Sequence, residues 1–383
     1  MSGHAAAKQE HPEPKSERAV ELQRYVIART ADPEALADSA ATARVVGLGQ
    51  STRAGRETFD VLRRTSEALV ERGFRTIAFL DNQRVGDLYH RFVSGLDDDL
   101  EGAVGQAWGP WRTHELAAAL TWIRRRNERQ PGDPVRIIGI GSSRVLPVDY
   151  DEILRLVGPS SETERLRGLF AVLRSAHLAG EHVQRAHGTH PHPERPFVDL
   201  AREAATIAAG MSPGAERDRA TGLLAAVVEH HANAIGVGYD AARDEAACAA
   251  RLLDDLRETG ERIVLWEGSA HVDAGGVMLG SHLRAALGDD YCAVHITFGR
   301  GRAGIVEIPA PQSGSLEDVL LGLGPCTLDL RREPTAGGPW RTRVISGVYK
   351  PEEDDRHYFQ LADLSTSYDA LAFVPAISST HPR

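Results

Sequence analysis

The sequence predicts an α/β fold, in which a mainly parallel sheet is covered by helices and carries a long helical insertion. Short apolar runs rich in β-branched residues recur along the chain, each bounded by Gly, Asp or Pro. Stretches of helical period separate most of these runs, which is typical of parallel strands joined by helical crossovers. The predicted strands are residues 44–48, 76–80, 135–140, 262–266, 291–298 and 370–374, and the predicted helices include 56–72, 84–93, 114–127 and 281–287.

The strand pattern disappears between residues 151 and 256, where long segments carry Ala- and Leu-rich helical faces. We therefore expect residues 151–256 to be a helical insertion within one α/β core domain, formed by residues 19–150 and 257–383. Residues 1–18 are rich in Pro, Glu, Lys and small residues, which predicts a disordered tail. The Gly- and Pro-rich tract 302–343 predicts an irregular or β-hairpin excursion before the last strand.

Composition excludes several classes of function. The formal net charge of -10 over 383 residues opposes binding to phosphate backbones, so we expect no nucleic-acid partner. No run of 18 or more apolar residues occurs, which predicts no membrane partner. Cys248, Cys292 and Cys326 are widely spaced and odd in number, which favours a reducing, cytoplasmic location. Lysine is nearly absent while Arg and Ala abound, as in proteins from GC-rich bacterial genomes.

Polar residues follow two of the predicted strands, at the edge of the sheet where ligands of α/β proteins bind. The first strand leads into the turn 49–55, where backbone amides and the Arg53 guanidinium could face a ligand. The alternative is a plain strand-to-helix turn, because the spacing of a nucleotide-binding loop is missing. Asp81 follows the second strand and could either project a carboxylate into the same crevice or cap the next helix.

Two further segments carry polar or aromatic residues near predicted strands or helices. The loop containing Trp108 and Trp111 enters a helix, and its rings could wall an apolar pocket or simply pack in the core. The predicted strand 262–266 runs directly into Glu267 and His271, a carboxylate and an imidazole suited to proton transfer. The catalytic candidates are His271, Asp81, Arg53 and Glu267. The substrate-binding candidates are Gln50, Ser51, Thr52, Trp108, Trp111, His114, Glu115 and Ser269.

Other signals predict neither a metal nor a cofactor. Five histidines occur between residues 177 and 192, but their spacing matches no ligand pattern and they lie in a polar, Pro-broken stretch. The chain also lacks a Gly-x-Ser-x-Gly elbow, a Walker loop, a His-Glu-x-x-His motif and a Cys-x-x-Cys pair. We therefore expect a small-molecule substrate, no metal, no cofactor, and neither a serine-triad nor a P-loop enzyme.

The four segments, in this order, resemble the erythromycin esterase family, metal-independent hydrolases that open macrolide lactones. The resemblance extends from residue 44 to the end. The family's Gly-Glu-x-x-His-Gly turn aligns with residues 49–54, and its glutamate after the second strand aligns with Asp81. Its Trp-x-x-x-Glu helix start is similar to residues 111–115, and its His-Asn-x-His segment aligns with residues 268–271. Gln50, Arg53 and Gly268 therefore replace a glutamate and two histidines.

A guanidinium stays protonated and has no acceptor, so Arg53 cannot replace a histidine as general base. These replacements leave three functions open. The first function is that of an enzyme of specialised metabolism, such as antibiotic biosynthesis, which acts on a small, carboxylate-bearing substrate by lyase, cyclisation or acyl-transfer chemistry. The second is an ester or lactone hydrolase that uses His271 as base. The third is a catalytically inert small-molecule-binding protein. Arg53 would either bind an anion or form an internal salt-bridge network with Asp81 and Glu267.

Overall fold

The computed structural model describes residues 17–141, 145–174, 195–232, 241–332, 337–345 and 349–383. Its strands are β1 (Val26–Ala28), β2 (Val45–Gln50), β3 (Phe74–Phe79), β4 (Arg136–Gly139), β5 (Arg262–Gly268), β6 (Tyr291–Ala303), β7 (Val306–Ile308), β8 (Cys326–Asp329), β9 (Trp340–Arg343), β10 (Tyr358–Leu361) and β11 (Ala370–Ile377). Its helices are α1 (Glu17–Leu22), α2 (Pro33–Ala40), α3 (Arg56–Glu71), α4 (Gln83–Val93), α5 (Leu100–Gly105), α6 (His114–Arg129), α7 (Pro147–Val157), α8 (Ser161–Leu173), α9 (Phe197–Ala209), α10 (Ala215–His230), α11 (Ala241–Thr259), α12 (Ser269–Val272), α13 (Leu279–Leu287), α14 (Leu316–Leu323) and α15 (Leu364–Ser367).

The main sheet has nine strands, in the order β1-β8-β11-β6-β2-β5-β3-β4, with β7 paired to β6. Six of its strands, from β11 to β4, are mutually parallel and are the six strands that the sequence predicts. Beyond β11, the strands β8 and β1 extend the sheet in antiparallel orientation. Strand β7 forms an antiparallel hairpin with β6. Strands β9 and β10 form a separate antiparallel pair. The prediction of a mainly parallel α/β fold is confirmed.

The central strands are buried on both faces, which explains their nearly continuous apolar sequences. Val46 and Leu48 of β2 belong to one core cluster, whereas Val45 belongs to a second cluster on the opposite face. Gly49 continues the second face, and a Cβ there would lie 2.3 Å from Val272 Cγ2 and 2.7 Å from Ser269 Cα. Only glycine therefore lets α12 pack directly on the end of β2.

Every described element between Pro147 and Thr259 is helical. Helices α7 to α10 share an apolar core of their own, which includes Tyr150, Phe170 and Phe197. Helix α11 returns to the sheet, because its Leu252 packs in the second core cluster of the α/β part. These helices occupy the tract that the sequence predicts as an insertion.

Two expectations about irregular segments were wrong in part. The tract 302–343 contains α14 and the sheet strand β8 in addition to short β segments. Helix α14 begins where the Ser315 hydroxyl accepts the Asp318 amide N–H at 3.3 Å, a cap that its Gly-rich surroundings obscured. The predicted disordered tail included residues that lie in α1, where the Arg18 guanidinium stacks 4.7 Å above the Trp340 ring. Among the described helices, none is long and apolar enough to cross a membrane.

Candidate functional site

The candidate site lies where three neighbouring parallel strands end at their carboxyl termini. Strand β5 pairs with β2 on one side and with β3 on the other. The turn that carries Arg53 follows β2, Asp81 follows β3, and α12 with His271 follows β5. The topology therefore brings together the four residues that the sequence predicts as catalytic candidates.

Four ionisable side chains form a continuous line at this edge, which we name the ion cluster: Arg53, Glu267, His271 and Glu245. Arg53 forms a salt bridge with Glu267. Glu267 Oε1 lies 3.5 Å from His271 Nε2, and His271 Nδ1 lies 2.5 Å from Glu245 Oε1. The second Glu245 oxygen accepts the Leu279 amide N–H at 2.9 Å. His271 is therefore held between two carboxylates, one at each ring nitrogen.

Burial differs sharply within the ion cluster. The side chains of Glu267, Glu245 and Arg53 are 2%, 3% and 9% exposed, whereas His271 is 22% exposed. Burial lowers the pKa of Arg53 to about 10, and the charges of Glu245 and Asp81 oppose that shift. Arg53 is therefore still a cation at neutral pH, which excludes it as a general base. His271 is therefore the most exposed member of the ion cluster.

The Arg53 guanidinium fills space that other residues leave for it. Its Cζ atom lies 4.7 Å from the centre of the Trp108 ring and 5.7 Å from that of Trp111, at cation–π distance. A Cβ on Gly268 would lie 3.2 Å from Arg53 Nη2, so a larger side chain there would displace the guanidinium. The arginine at position 53 and the glycine at position 268 are therefore sterically linked. Trp111 is buried in the first core cluster and Trp108 packs against that cluster, as the core-packing alternative expects. A role of the two rings in walling a substrate pocket stays a prediction.

Asp81 fastens the tryptophan loop to β3. Its carboxylate accepts the Asn82 amide N–H at 2.6 Å and the Trp108 amide N–H at 3.1 Å. The alternative that Asp81 caps a helix is wrong, because the Asn82 side chain caps α4 by accepting the Arg84 amide N–H. Asp81 is thus buried beside the ion cluster and acts on Arg53 through its charge.

Several buried polar atoms around the ion cluster have no hydrogen-bond partner in the described structure. They include Gln50 Nε2, Ser51 Oγ, Glu267 Oε2 and Trp111 Nε1. The side-chain oxygen of Gln50, Oε1, lies 3.5 Å from Thr58 Oγ1, which is a long contact with the first turn of α3. Buried polar groups normally find partners, so unpaired donors at a strand end are suited to binding substrate oxygen atoms.

The remaining candidates lie around this centre rather than within it. Thr52 closes its own turn, since its hydroxyl accepts the Ala54 amide N–H at 3.3 Å. Ser269 is fully buried, and its hydroxyl donates to Gly49 O at 3.0 Å. His114 is exposed, and Glu115 accepts hydrogen bonds from the backbone and the ring of His381.

The partner of Glu115 belongs to a C-terminal strap, which we define as residues 378–383. The strap contacts the turn after β2, where Thr380 N donates to Ala54 O at 2.9 Å. It also contacts the start of α6, where His114 N donates to His381 O at 2.9 Å. The strap therefore ties two parts of the site wall together, which no local sequence pattern predicted.

Glu245 is the functional candidate that sequence reasoning missed. It lies on α11, in an Ala-rich stretch with no motif around it, and it reaches His271 only through packing of α11 against α13. The five histidines between residues 177 and 192 lie outside the described residues. Among the described residues, no group of three or more His, Cys, Asp or Glu side chains is placed to hold a metal ion.

Comparison with known proteins supports the fold and the family. The structure is similar to a Bacillus cereus protein (16% identity, TM-score 0.65, covering 97% of this chain and 100% of that one). It is also similar to a succinoglycan biosynthesis protein (15%, 0.66, 96% and 99%) and to an erythromycin esterase mutant in its open conformation (16%, 0.56, 90% and 93%). No curated protein matches the chain.

A family model decides the assignment, because identities this low establish only the fold. The model described as erythromycin esterase matches residues 69–377, which is most of the chain. The matched region includes Asp81, Glu245, Glu267 and His271, whereas the turn that carries Arg53 precedes it. This chain belongs to the erythromycin esterase family.

Proposed function

We propose that this chain is an esterase-like enzyme that opens an ester or lactone bond of a small organic substrate, with His271 as the general base. Family membership supports the esterase-like class. One observation carries the choice of base, namely the 2.5 Å contact between His271 Nδ1 and Glu245 Oε1. A base whose second nitrogen is held by a buried carboxylate is the arrangement that proton transfer at an acyl centre requires.

The contact with Glu245 fixes the tautomer of a neutral His271. Because a carboxylate only accepts, Nδ1 carries the hydrogen and the lone pair is on Nε2. Nε2 takes a proton from water while the water oxygen bonds to the acyl carbon, and the imidazolium returns that proton to the leaving oxygen. Glu245 and Glu267, at 2.5 and 3.5 Å from the two nitrogens, stabilise the imidazolium between these steps.

Arg53 contributes positive charge to the site, but its guanidinium is already paired with Glu267 and is not free to bind an anion. Its salt bridge with Glu267 means that a substrate carboxylate would have to compete with a buried partner. This favours the internal network over binding of a carboxylate-bearing substrate. The unpaired Gln50 Nε2 and Ser51 Oγ are the donors that suit the oxyanion of a tetrahedral intermediate. A buried, partnered guanidinium beside the base also opposes a bound metal cation, which supports a metal-independent reaction.

Acyl transfer is the second candidate, because the same base can remove a proton from an alcohol or amine instead of water. The steric link between Arg53 and Gly268 supports it, since it gives this site a wall different from the one the family resemblance implies. Lyase or cyclisation chemistry in specialised metabolism, including antibiotic biosynthesis, stays a prediction that no contact in the site favours. Small-molecule binding without turnover is the remaining alternative.

Site-directed variants assayed with 4-nitrophenyl acetate and a panel of lactones test the proposal. We expect His271→Gln and Glu245→Gln each to lower kcat by ~10²–10⁴-fold, the usual contribution of a positioned base. Two matched controls should leave kcat unchanged: His90→Gln on α4, and Glu258→Gln, an exposed position on the same helix as Glu245. A His271→Gln variant with wild-type kcat would refute the proposed base.

The same panel separates the alternatives. A macrolide lactone should be opened at no more than a trace rate, because Arg53 and Gly268 stand where the family resemblance implies histidines. Product formation only when an alcohol or amine is added would establish acyl transfer. Binding of panel members without any product, with or without an acceptor, would establish the inert alternative.

A further inference from the structure

A second polar network lies beneath the ion cluster, and the proposed reaction does not use it. This buried chain comprises Glu317, Thr342, His295 and Ser269 and ends at the Gly49 carbonyl. Successive contacts are 2.6 Å from Glu317 Oε1 to Thr342 Oγ1, 2.9 Å to His295 Nε2, 2.7 Å from His295 Nδ1 to Ser269 Oγ, and 3.0 Å to Gly49 O. All four side chains belong to fully buried residues.

The hydrogens in the buried chain can be assigned from its far end. A carbonyl only accepts, so the Ser269 hydroxyl donates to Gly49 O. Ser269 Oγ must then accept from His295 Nδ1, and a neutral imidazole with its hydrogen there has a lone pair on Nε2. The Thr342 hydroxyl must donate to that lone pair. The Thr342 hydroxyl hydrogen is then already used, so the 2.6 Å contact between Thr342 Oγ1 and Glu317 Oε1 is favourable only if the Glu317 carboxyl group donates a hydrogen to Thr342 Oγ1.

We propose that Glu317 is a neutral carboxylic acid at neutral pH, and that its proton completes a one-directional hydrogen-bond chain that positions the ends of β2 and β5 at the site. If Glu317 is ionised and His295 is neutral, only the hydrogens of Thr342, His295 and Ser269 are available for the four contacts of the buried chain, so one contact has no hydrogen. That arrangement requires Ser269 to turn from Gly49 O to the histidine, which sacrifices the contact at 3.0 Å.

The surroundings of Glu317 favour the neutral acid. Its other contacts are the Thr297 hydroxyl at 2.9 Å and the Arg343 amide N–H at 3.1 Å, and no cationic group contacts it within the described residues. The Arg343 guanidinium instead donates to the carbonyls of Gly299 and Pro309. Burial raises the pKa of Glu317, and it outweighs all the hydrogen bonds to this carboxyl group that lower the pKa, including the one with Thr342.

His295 is a poor alternative place for the extra proton. It stacks on the Tyr368 ring at 4.6 Å, and no carboxylate contacts it in the described part of the chain. Burial lowers the pKa of His295 to about 3. Among the described residues, the titratable or charged groups on elements around the buried chain include Arg341, Arg343, Asp354, Tyr358, Tyr368, Tyr291 and Asp273.

The two ends of the buried chain explain its positioning role. Gly49 precedes Gln50 and the turn with Arg53, and Ser269 is the first residue of α12, which carries His271. The Ser269–Gly49 hydrogen bond therefore joins the segments that carry Arg53 and His271 of the ion cluster. This role rests on the proposed function, whereas the protonation of Glu317 does not.

Infrared spectroscopy and pH-dependent unfolding test the proton without any substrate. We expect wild-type protein at pH 7 to show a carbonyl stretch of a protonated carboxyl group that Glu317→Gln lacks. A raised folded-state pKa gives stability that is full below the ordinary glutamate value and is lost as pH rises through the folded value. The ratio of the folding equilibrium constant of Glu317→Gln to that of wild type should therefore rise with pH, by up to about tenfold per unit.

Two outcomes would overturn the inference. One is a wild-type spectrum without that band. The other is a Glu317→Gln variant that becomes less stable relative to wild type as pH rises, as expected if a carboxylate were needed. If Glu317→Gln does not fold, the wild-type spectrum alone decides.

Positioning is tested separately, from the ring ¹⁵N signals of His271 and from 4-nitrophenyl acetate turnover. We expect Glu317→Gln, which can still donate to Thr342, to keep the wild-type signals and kcat. Glu317→Ala should shift the signals and lower kcat. Equal behaviour of the two variants would refute the positioning role. Loss of the kcat difference alone, with the ¹⁵N difference retained, would point to failure of the proposed function instead.

Discussion

The ion cluster and the buried chain both combine glutamate with histidine, yet they hold charge in opposite ways. In the ion cluster, Glu245 contacts His271 directly and Glu267 has the Arg53 guanidinium as partner. In the buried chain, the Thr342 hydroxyl separates His295 from Glu317. A buried carboxyl group with a cation beside it stays ionised, whereas one without a cation keeps its proton when burial outweighs the hydrogen bonds that it accepts. We therefore expect the ion cluster to supply the charges for the proposed reaction, and the buried chain to hold the strand ends rigid.

The largest effect should follow from removing a charge partner in the ion cluster. Glu267→Ala leaves the buried Arg53 guanidinium without its salt bridge, so we expect the free energy of unfolding at pH 7 to fall by about 3–5 kcal/mol. Urea denaturation measures it. Asp60→Ala, which breaks a partly exposed pair with Arg63, is the control and should cost about 1 kcal/mol or less.

Replacing both partners sharpens this test. The double variant Arg53→Met, Glu267→Leu removes the charges together and should unfold closer to wild type than Glu267→Ala does. If Glu267→Ala is no more destabilising than Asp60→Ala, the salt bridge is not the feature that holds Arg53.

An intermediate effect should follow from breaking the buried chain. Thr342→Val keeps the shape of the side chain but leaves His295 Nε2 and Glu317 without their shared partner. Unsatisfied buried polar groups cost about 1–3 kcal/mol, and we expect a loss of that size in urea denaturation. Thr366→Val removes an exposed hydroxyl that donates to Asp363 O, and serves as the control. Equal losses in the two variants would show that the buried chain adds no stability.

The smallest effect concerns a carboxylate outside both networks. Glu57 accepts the Ser378 amide N–H at 2.6 Å and the Ser378 hydroxyl at 2.7 Å, where the strap begins. Burial raises its pKa, but the bonds from Ser378 outweigh burial and the net pKa is lowered. A lowered pKa gives stability that is present above the ordinary glutamate value and is lost as pH falls through the folded value.

We therefore expect the strap to loosen at acid pH. The amide NMR signal of Ser378 should titrate with the lowered pKa in wild type and in the control Glu258→Gln, but not in Glu57→Gln. A Ser378 signal that titrates equally in Glu57→Gln would assign the change to another group.

The sequence by itself determined the six parallel strands and the position of the site. Runs such as 262–266 are buried on both faces, so their apolar pattern is local and can be read without knowing their neighbours. Because parallel strands end at a common edge, Arg53, Asp81, Glu267 and His271 had to lie near one another. The guanidinium at position 53 also ruled out a base there from chemistry alone.

Only the tertiary structure decided which partner each of these groups has. Glu245 reaches His271 from a helix with no motif, and Glu317 meets His295 through a threonine on β9. The antiparallel strand β8 and the strap depend in the same way on segments distant in the chain. Hydrogen bonds and ion pairs act over about 3 Å, and contacts between distant segments at that range are fixed by how helices and strands pack, not by local pattern.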